Sequence, residues 1–416
     1  MGDIKPFRAD KPRVYIIDVT NRDGVQSPGV DISDFERTMI NKYLNDMGIY
    51  QSEFAFPVDS AEENYIISNL ELAELGYLSP IKLSGWVRAA YEDVEKAGRY
   101  KDLKYLNLSI STSDVMIRGK FQGRKDEKDI ISDMVRAVRR AKELGFEIIG
   151  VNAEDASRTR HWRDQSYLEE FALAAKDAGA DRIRYCDTVG SDISFSIYDR
   201  VKQLAEKVML PMEIHCHNDT GFAVANSIGG AMGALDAGVD VYINTTINGL
   251  GERAGNADLV SVLLSLKHSS GLQGEDILDP NIDLRMAWKI CNYVSHATDI
   301  PIPPNQPGVG ANAFSHESGI HADGMLKDHH TYELYSPEEL GIPPKEERET
   351  GRRIGAGSYS GRSALKYVLE KYGIEAKDMS ETLDLMKRAT KHNKRSLTPD
   401  ELRLIVQYPE QIRRML

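Results

Sequence analysis

Eight short apolar runs recur from about residue 14 to residue 270, each followed by a segment with helical spacing, and this alternation constrains the fold more than anything else in the chain. The strand-like runs are VYIIDVT from Val14, YQSEFAFP from Tyr50, IKLSGWV from Ile81, YLNLSIS from Tyr105, EIIGVNA from Glu147, RIRYCDT from Arg182, PMEIHCH from Pro211 and DVYINTT from Asp240. Between the first two, apolar residues fall at Phe35, Met39, Tyr43, Leu44 and Met47, and Gly48 stops the helix. Later helical segments stop in the same way at Gly145 and Gly179. Strand and helix in strict alternation give a parallel sheet, and eight repeats are the number that closes a (β/α)8 TIM barrel, an α/β fold. An open doubly wound sheet is the competing arrangement, but no GxGxxG opens the first helix.

Beyond the repeats, IPIPPNQPGVG from Ile300 to Gly310 reads as a linker. After it the pattern is helical. SALKYVLEKYG lines up Leu365, Val368, Leu369 and Tyr372, and TPDELRLIVQY opens on a Thr398 cap. The expected division is a barrel over 1–295, a linker and lid segment over 296–330, and a small helical C-terminal subdomain over 331–416. That last part is too short to bury a large core of its own, so docking on a barrel or a second subunit is expected.

A net charge of -12 argues against broad binding to nucleic acid or to an anionic membrane, and requires local cations for any anionic substrate. Cys186, Cys216 and Cys291 form no CxxC, so neither a disulfide framework nor a zinc knuckle is expected and a reducing cytoplasm fits. The first thirteen residues lack an apolar signal region, and no stretch reaches the roughly 18 to 20 apolar residues of a membrane helix.

Barrel enzymes build their sites at the carboxyl ends of the strands, and the ends of these runs are rich in polar groups. The first leads into Asp18, Arg22 and Asp23, the second holds Glu53, the fourth ends around Ser111 to Asp114, and the fifth at Asn152, Glu154 and Asp155. The sixth ends at Asp187 and Thr188, the seventh at His215 and His217, and the eighth runs into Asn248, Glu252, Arg253 and Asn256. A His-x-His on a strand places both imidazoles on one face, which suits two metal ligands or two buried histidines bonded to neighbours. Asp23, brought near across the closure, adds a carboxylate and tips this towards a two-histidine, one-carboxylate metal site with open positions. Arg22, Arg88, Arg118 and Arg158 lie just past strand ends. For any one of them a solvated or ion-paired surface arginine is the more common case, but four near one rim point to a pocket for carboxylates or phosphates.

Seven motifs in order carry a resemblance over nearly the whole chain. They are RDGVQSPG at Arg22, AEDASR at Ala153, DTVG at Asp187, HCHNDTGFAVAN at His215, NGLGERAGNA at Asn248, GANAFSHESGIHADG at Gly310 and SGRSALK at Ser360. The chain resembles the acetyl-CoA-dependent 2-oxo acid synthases of the metal-dependent DRE-TIM group: isopropylmalate, homocitrate, citramalate and Re-type citrate synthases. The resemblance implies a divalent ion (Mg, Mn, Co or Zn) on Asp23, His215 and His217, with Asn256 as a weaker or water-mediated fourth ligand. It implies that Arg22 stabilises an alkoxide, that Thr188 holds a substrate carboxylate, and that Gln26, Arg118 and Arg158 join the substrate contacts. His321, with Tyr332 as its partner, would take a methyl proton from acetyl-CoA, with Glu154 assisting as acid or base. The outcome would be a Claisen condensation followed by thioester hydrolysis, in a homodimer whose lid residues cross between subunits.

Two positions depart from the family pattern: Val25 stands where an acidic residue is usual, and Asn21 where a leucine is usual. About fifty residues follow SGRSALK, so no C-terminal leucine-sensing domain is expected. FAFP and HESGIHADG resemble the isopropylmalate branch, while the length and Arg118 resemble the homocitrate and Re-citrate branch. The expectation is therefore a diacid, oxaloacetate or 2-oxoglutarate, with isopropylmalate or citramalate synthesis as the alternative. An acyl-CoA carbon–carbon lyase of the same superfamily is remoter, because NGLGERAGN lacks the cysteine of hydroxymethylglutaryl-CoA lyases.

Overall fold

The computed structural model describes residues 11–160, 163–342, 351–355, 357 and 359–416, so the first ten residues of the N-terminal segment lie outside it. Two compact units divide between Pro301 and Ile302.

In the first unit the eight runs form β1 (Val14–Asp18), β2 (Gln51–Ala55), β3 (Lys82–Arg88), β4 (Tyr105–Ser111), β5 (Ile148–Glu154), β6 (Arg182–Asp187), β7 (Met212–Cys216) and β8 (Val241–Thr245). They pair in chain order, all parallel, and β8 returns to β1 with Val14 opposite Val241 and Asp18 opposite Thr245, closing the barrel. Ile16, Leu108, Val151, Ile183, Ile214 and Ile243 are fully buried between sheet and helices. Period two turns alternate residues to the barrel axis, and polar groups stand there: Glu53, Asn107, Arg184, Glu213 and His215 are all at least nine-tenths buried. At the amino end the rings of Tyr15, Tyr50 and Tyr242 pack 5.1 to 5.2 Å apart, and the Arg182 guanidinium lies 3.8 Å over Tyr242. This plug leaves the carboxyl end as the mouth.

The alternation stops near residue 270, but the barrel unit does not: a helix over Ala287–Thr298 packs back on the first barrel helix, Asp34–Asp46, through Tyr293 edge-on to Tyr43 at 5.0 Å. No strand precedes it, so it lies outside the repeat. The proline-rich stretch carries the boundary and then winds in hydrogen-bonded turns, Gly310 N–H to Gln306 O and Asn312 N–H to Pro304 O.

The second unit holds helices over Gly319–Lys327, Arg362–Lys371, Met379–Asn393, Pro399–Gln407 and Pro409–Met415. Leu365, Leu369, Leu385, Met386, Leu402 and Ile405 form its core. Thr398 and Glu401 make the capping box expected of TPDE, with Pro399 in the first turn. Ser315–His316 and Arg353–Ile354 pair as a short parallel sheet, which two-residue runs give no periodicity to announce.

Candidate metal centre at the barrel mouth

A tight turn after β1 aims Asp23 inward: the N–H groups of Arg22, Asp23 and Gly24 all converge on the Val19 carbonyl at 2.8 to 3.2 Å. Asn21 anchors that turn from behind, its Nδ2 donating to Arg37 O at 2.8 Å and Asn41 Oδ1 at 2.9 Å. The departure at Asn21 thus belongs to the scaffold beneath the loop. On β7 and just past it, His215 and His217 turn their Nε2 atoms to one point, 3.2 Å apart. Asp23 Oδ2 lies 3.3 Å from His215 Nε2 and 3.8 Å from His217 Nε2.

These separations are those of neighbouring ligands around a single cation with bonds of about 2.1 Å. Among the described residues this is the group of three donors placed to hold a metal ion, with all ligand atoms within 4.8 Å of one another. Asp23 Oδ2 and Asn256 Oδ1 are buried without a hydrogen-bond partner, a costly arrangement that a bound cation relieves. Asn256 is brought up by a backbone bridge to His217, and its Nδ2 is fixed on Leu250 O at 3.0 Å, leaving Oδ1 for the site. The protonation states suit ligation. Burial, reinforced by His215, pushes the His217 imidazole down to about 3. Burial opposes ionisation of Asp23, but Arg22 and the two histidines outweigh it and hold the carboxyl well below its usual range.

Arg22 sits on the rim of this cluster, with Nη1 3.4 Å from Asp23 Oδ1. Its other donors reach back to Glu53 Oε1, Nε at 2.8 Å and Nη2 at 2.6 Å. Glu53 is fully buried, yet Arg184 and Arg22 overcome the burial and bring its carboxyl down to about 2. Thr188 accepts the Asp155 N–H on its hydroxyl at 2.9 Å, and its carbonyl accepts from Arg253 at 2.6 Å. Asp155, in the left-handed region at φ 63°, holds Arg158 in a two-point pair at 2.8 and 2.9 Å. Glu154 is clasped by Lys120 Nζ, 2.5 and 2.7 Å from its two oxygens, and by the Ser111 hydroxyl at 2.5 Å.

The remaining rim residues are spread more widely. Gln26 is exposed in the turn Gly24–Gln26, and Arg118 is exposed on the helix Asp114–Phe121. Arg88 is spent on Asp93, with contacts of 2.6 and 2.9 Å. In the second unit His321 and Tyr332 are neighbours, with ring centroids 4.3 Å apart, and His316 lies 6.4 Å from each. Sequence reasoning passed over Lys120, Arg184 and Glu213. For the last two there was a signal: charges at alternate positions of parallel strands whose both faces should be covered.

The HMGL-like family profile matches residues 13–294, and the profile described as homocitrate synthase post-HMGL domain-like matches residues 309–395. The chain belongs to the HMGL-like family. Within this family it is 52% identical over 97% of its length to a citrate (Re)-synthase of Dehalococcoides mccartyi, of which it covers 98%. It is 40% identical over 88% of its length to 2-isopropylmalate synthase 2 of Caldanaerobacter subterraneus, covering 87% of that chain. The barrel matches the hydroxymethylglutaryl-CoA lyase of Bacillus subtilis at a TM-score of 0.54 and 16% identity, over 71% of this chain and 96% of that one. At that identity the likeness concerns the fold alone. The relatives are synthases of the acyltransferase type, and the chain is an enzyme of that class.

Proposed function

We propose that this HMGL-like enzyme condenses acetyl-CoA with a 2-oxo diacid, oxaloacetate in the first place, and hydrolyses the resulting thioester to citrate and CoA. The observation that carries the reading is the Asp23–His215–His217 donor set with Arg22 on its rim, in a chain 52% identical to a citrate (Re)-synthase. A divalent ion on these three groups, with Asn256 Oδ1 as a further donor, would polarise a keto group as a Lewis acid. Arg22 offers Nη1 to developing negative charge, and Thr188 and Arg158 flank the same rim as carboxylate contacts. His321, oriented by Tyr332, takes a methyl proton from acetyl-CoA. The carbanion so formed adds to the keto carbon, and water then cleaves the thioester to a carboxylate, releasing CoA as the thiol. Lys120 fixes Glu154 at the end of β5, where the carboxylate can pass protons. Gln26 and Arg118 complete the acid-binding rim.

The substrate preference is tested by kcat/KM for a panel of 2-oxo acids with acetyl-CoA. Oxaloacetate is expected to exceed 2-oxoglutarate and 3-methyl-2-oxobutanoate by at least about tenfold, the discrimination that one methylene or one unpaired carboxylate supplies. A preference for the branched acid would move the chain to the isopropylmalate branch.

The unit is proposed to act as a homodimer in which His321 and Tyr332 serve the barrel of the partner. Mixed, inactive Asp23→Asn and His321→Ala proteins are then expected to regain activity by subunit exchange, whereas no recovery after verified exchange would show that each chain uses its own residues. A cytoplasmic setting suits the three buried, unbridged cysteines. Among the described residues no helix is long and apolar enough to cross a membrane.

A further inference from the structure

We infer that Arg184 is a positioning residue that keeps Arg22 aimed at the substrate, acting through Glu53. Arg184 is 1% exposed on the barrel axis, and it joins a carboxylate on the neighbouring strand β7 to one on β2, across the barrel. Its Nε donates to Glu213 Oε2 at 2.6 Å and its Nη2 to Glu53 Oε2 at 2.7 Å. Asn107 Nδ2 donates to the same Glu53 oxygen at 2.6 Å. With Oε2 held twice, the carboxylate cannot rotate, and Oε1 remains for Arg22.

Charge gives Arg184 a second effect. Three arginines, Arg22, Arg182 and Arg184, face two glutamates, Glu53 and Glu213, with Arg182 3.6 Å from Glu213. Glu53 is therefore shared between Arg184 and Arg22, so that it neutralises Arg22 only in part; the other carboxylate beside Arg22 is Asp23, the candidate metal ligand. Without Arg184 the whole charge of Glu53 would fall on Arg22 in a dry interior, where pairing is strongest. The backbone is cut to fit this network. Gly150 lies on β5 beside it, and a Cβ there would come 2.0 Å from Asn107 Oδ1 and 3.2 Å from Glu213 Oε1.

The inference rests on the reading of the mouth as an oxo acid site, and it is tested with a probe that does not depend on turnover. Removing Arg184 alone leaves the buried Glu213, among the described residues, with only Arg182 at 3.6 Å, so the test uses Arg184→Met with Glu213→Gln, which removes a charge pair together. Oxalate is titrated calorimetrically into Mn2+-loaded protein. The double variant is expected to keep its melting temperature and its Mn2+ affinity, to lose at least about tenfold in oxalate affinity, about 1.4 kcal/mol, and to raise the oxo acid KM with the acetyl-CoA KM unchanged. Wild-type oxalate affinity in the double variant would overturn the inference. Should that variant not fold, Arg184→Lys decides, since it keeps the charge but cannot bridge both carboxylates: a loss of about threefold or more at unchanged melting temperature supports the inference, and no loss overturns it. An oxalate effect in a protein that turns over no oxo acid would uphold the role of Arg184 and reject the synthase reading.

Discussion

Replacing His217 by alanine is expected to abolish stoichiometric binding of a divalent cation and to lower turnover by at least about 10³-fold. The magnitude follows from what the cation contributes: Lewis-acid stabilisation is worth several kcal/mol, and each 1.36 kcal/mol is tenfold in rate. The loss is not spread over neighbours, because Asp23 and His215 alone offer two donors where the cluster offers three within 4.8 Å. Folding should survive. His217 Nδ1 has no hydrogen-bond partner, so its removal costs only the 3.2 Å contact of Nε2 with His215, and it frees Asp23 and His215 from close approach to a third polar group. Calorimetry with Mn2+ and a melting curve on the same preparation check both halves. Unchanged cation binding in His217→Ala would remove the proposed centre.

The second large effect is expected at His321. His321→Ala should retain cation and oxo acid binding while kcat falls by about 10² to 10⁴-fold, the usual range for a general base. Its surroundings support that role: the ring lies 4.3 Å from that of Tyr332 and is itself exposed, so it can reach a substrate. Exchange of the acetyl-CoA methyl protons with solvent deuterium, followed by NMR, separates this step from the later ones. An exchange rate in His321→Ala equal to that of the unaltered enzyme would assign proton removal elsewhere.

The barrel was legible because eight strand-like runs at regular spacing have one economical closure, and every run became a strand. The meeting of Asp23, His215 and His217 was legible for the same reason: strand-end residues converge whatever the intervening helices contain. What the sequence could not disclose is which inward charges meet. Arg184 on β6 reaches Glu53 on β2 across the axis, and that meeting depends on strand tilt and stagger. The fate of single rim arginines was equally hidden. Arg158 and Arg88 each bind an aspartate within five residues, whereas Arg22 finds Glu53 thirty-one positions away. Asn21 shows the converse: a departure from the family pattern at a site motif proved to be a buried brace for the turn that presents Asp23.

The central claim is that the barrel mouth joins acetyl-CoA to a 2-oxo acid on a bound cation. Release of free CoA thiol, measured with oxaloacetate, acetyl-CoA and a divalent cation and with each left out in turn, tests it most directly. The account predicts release only when all three are present, with one citrate formed per CoA. Release that continues without the oxo acid, or no release with any 2-oxo acid, would contradict it.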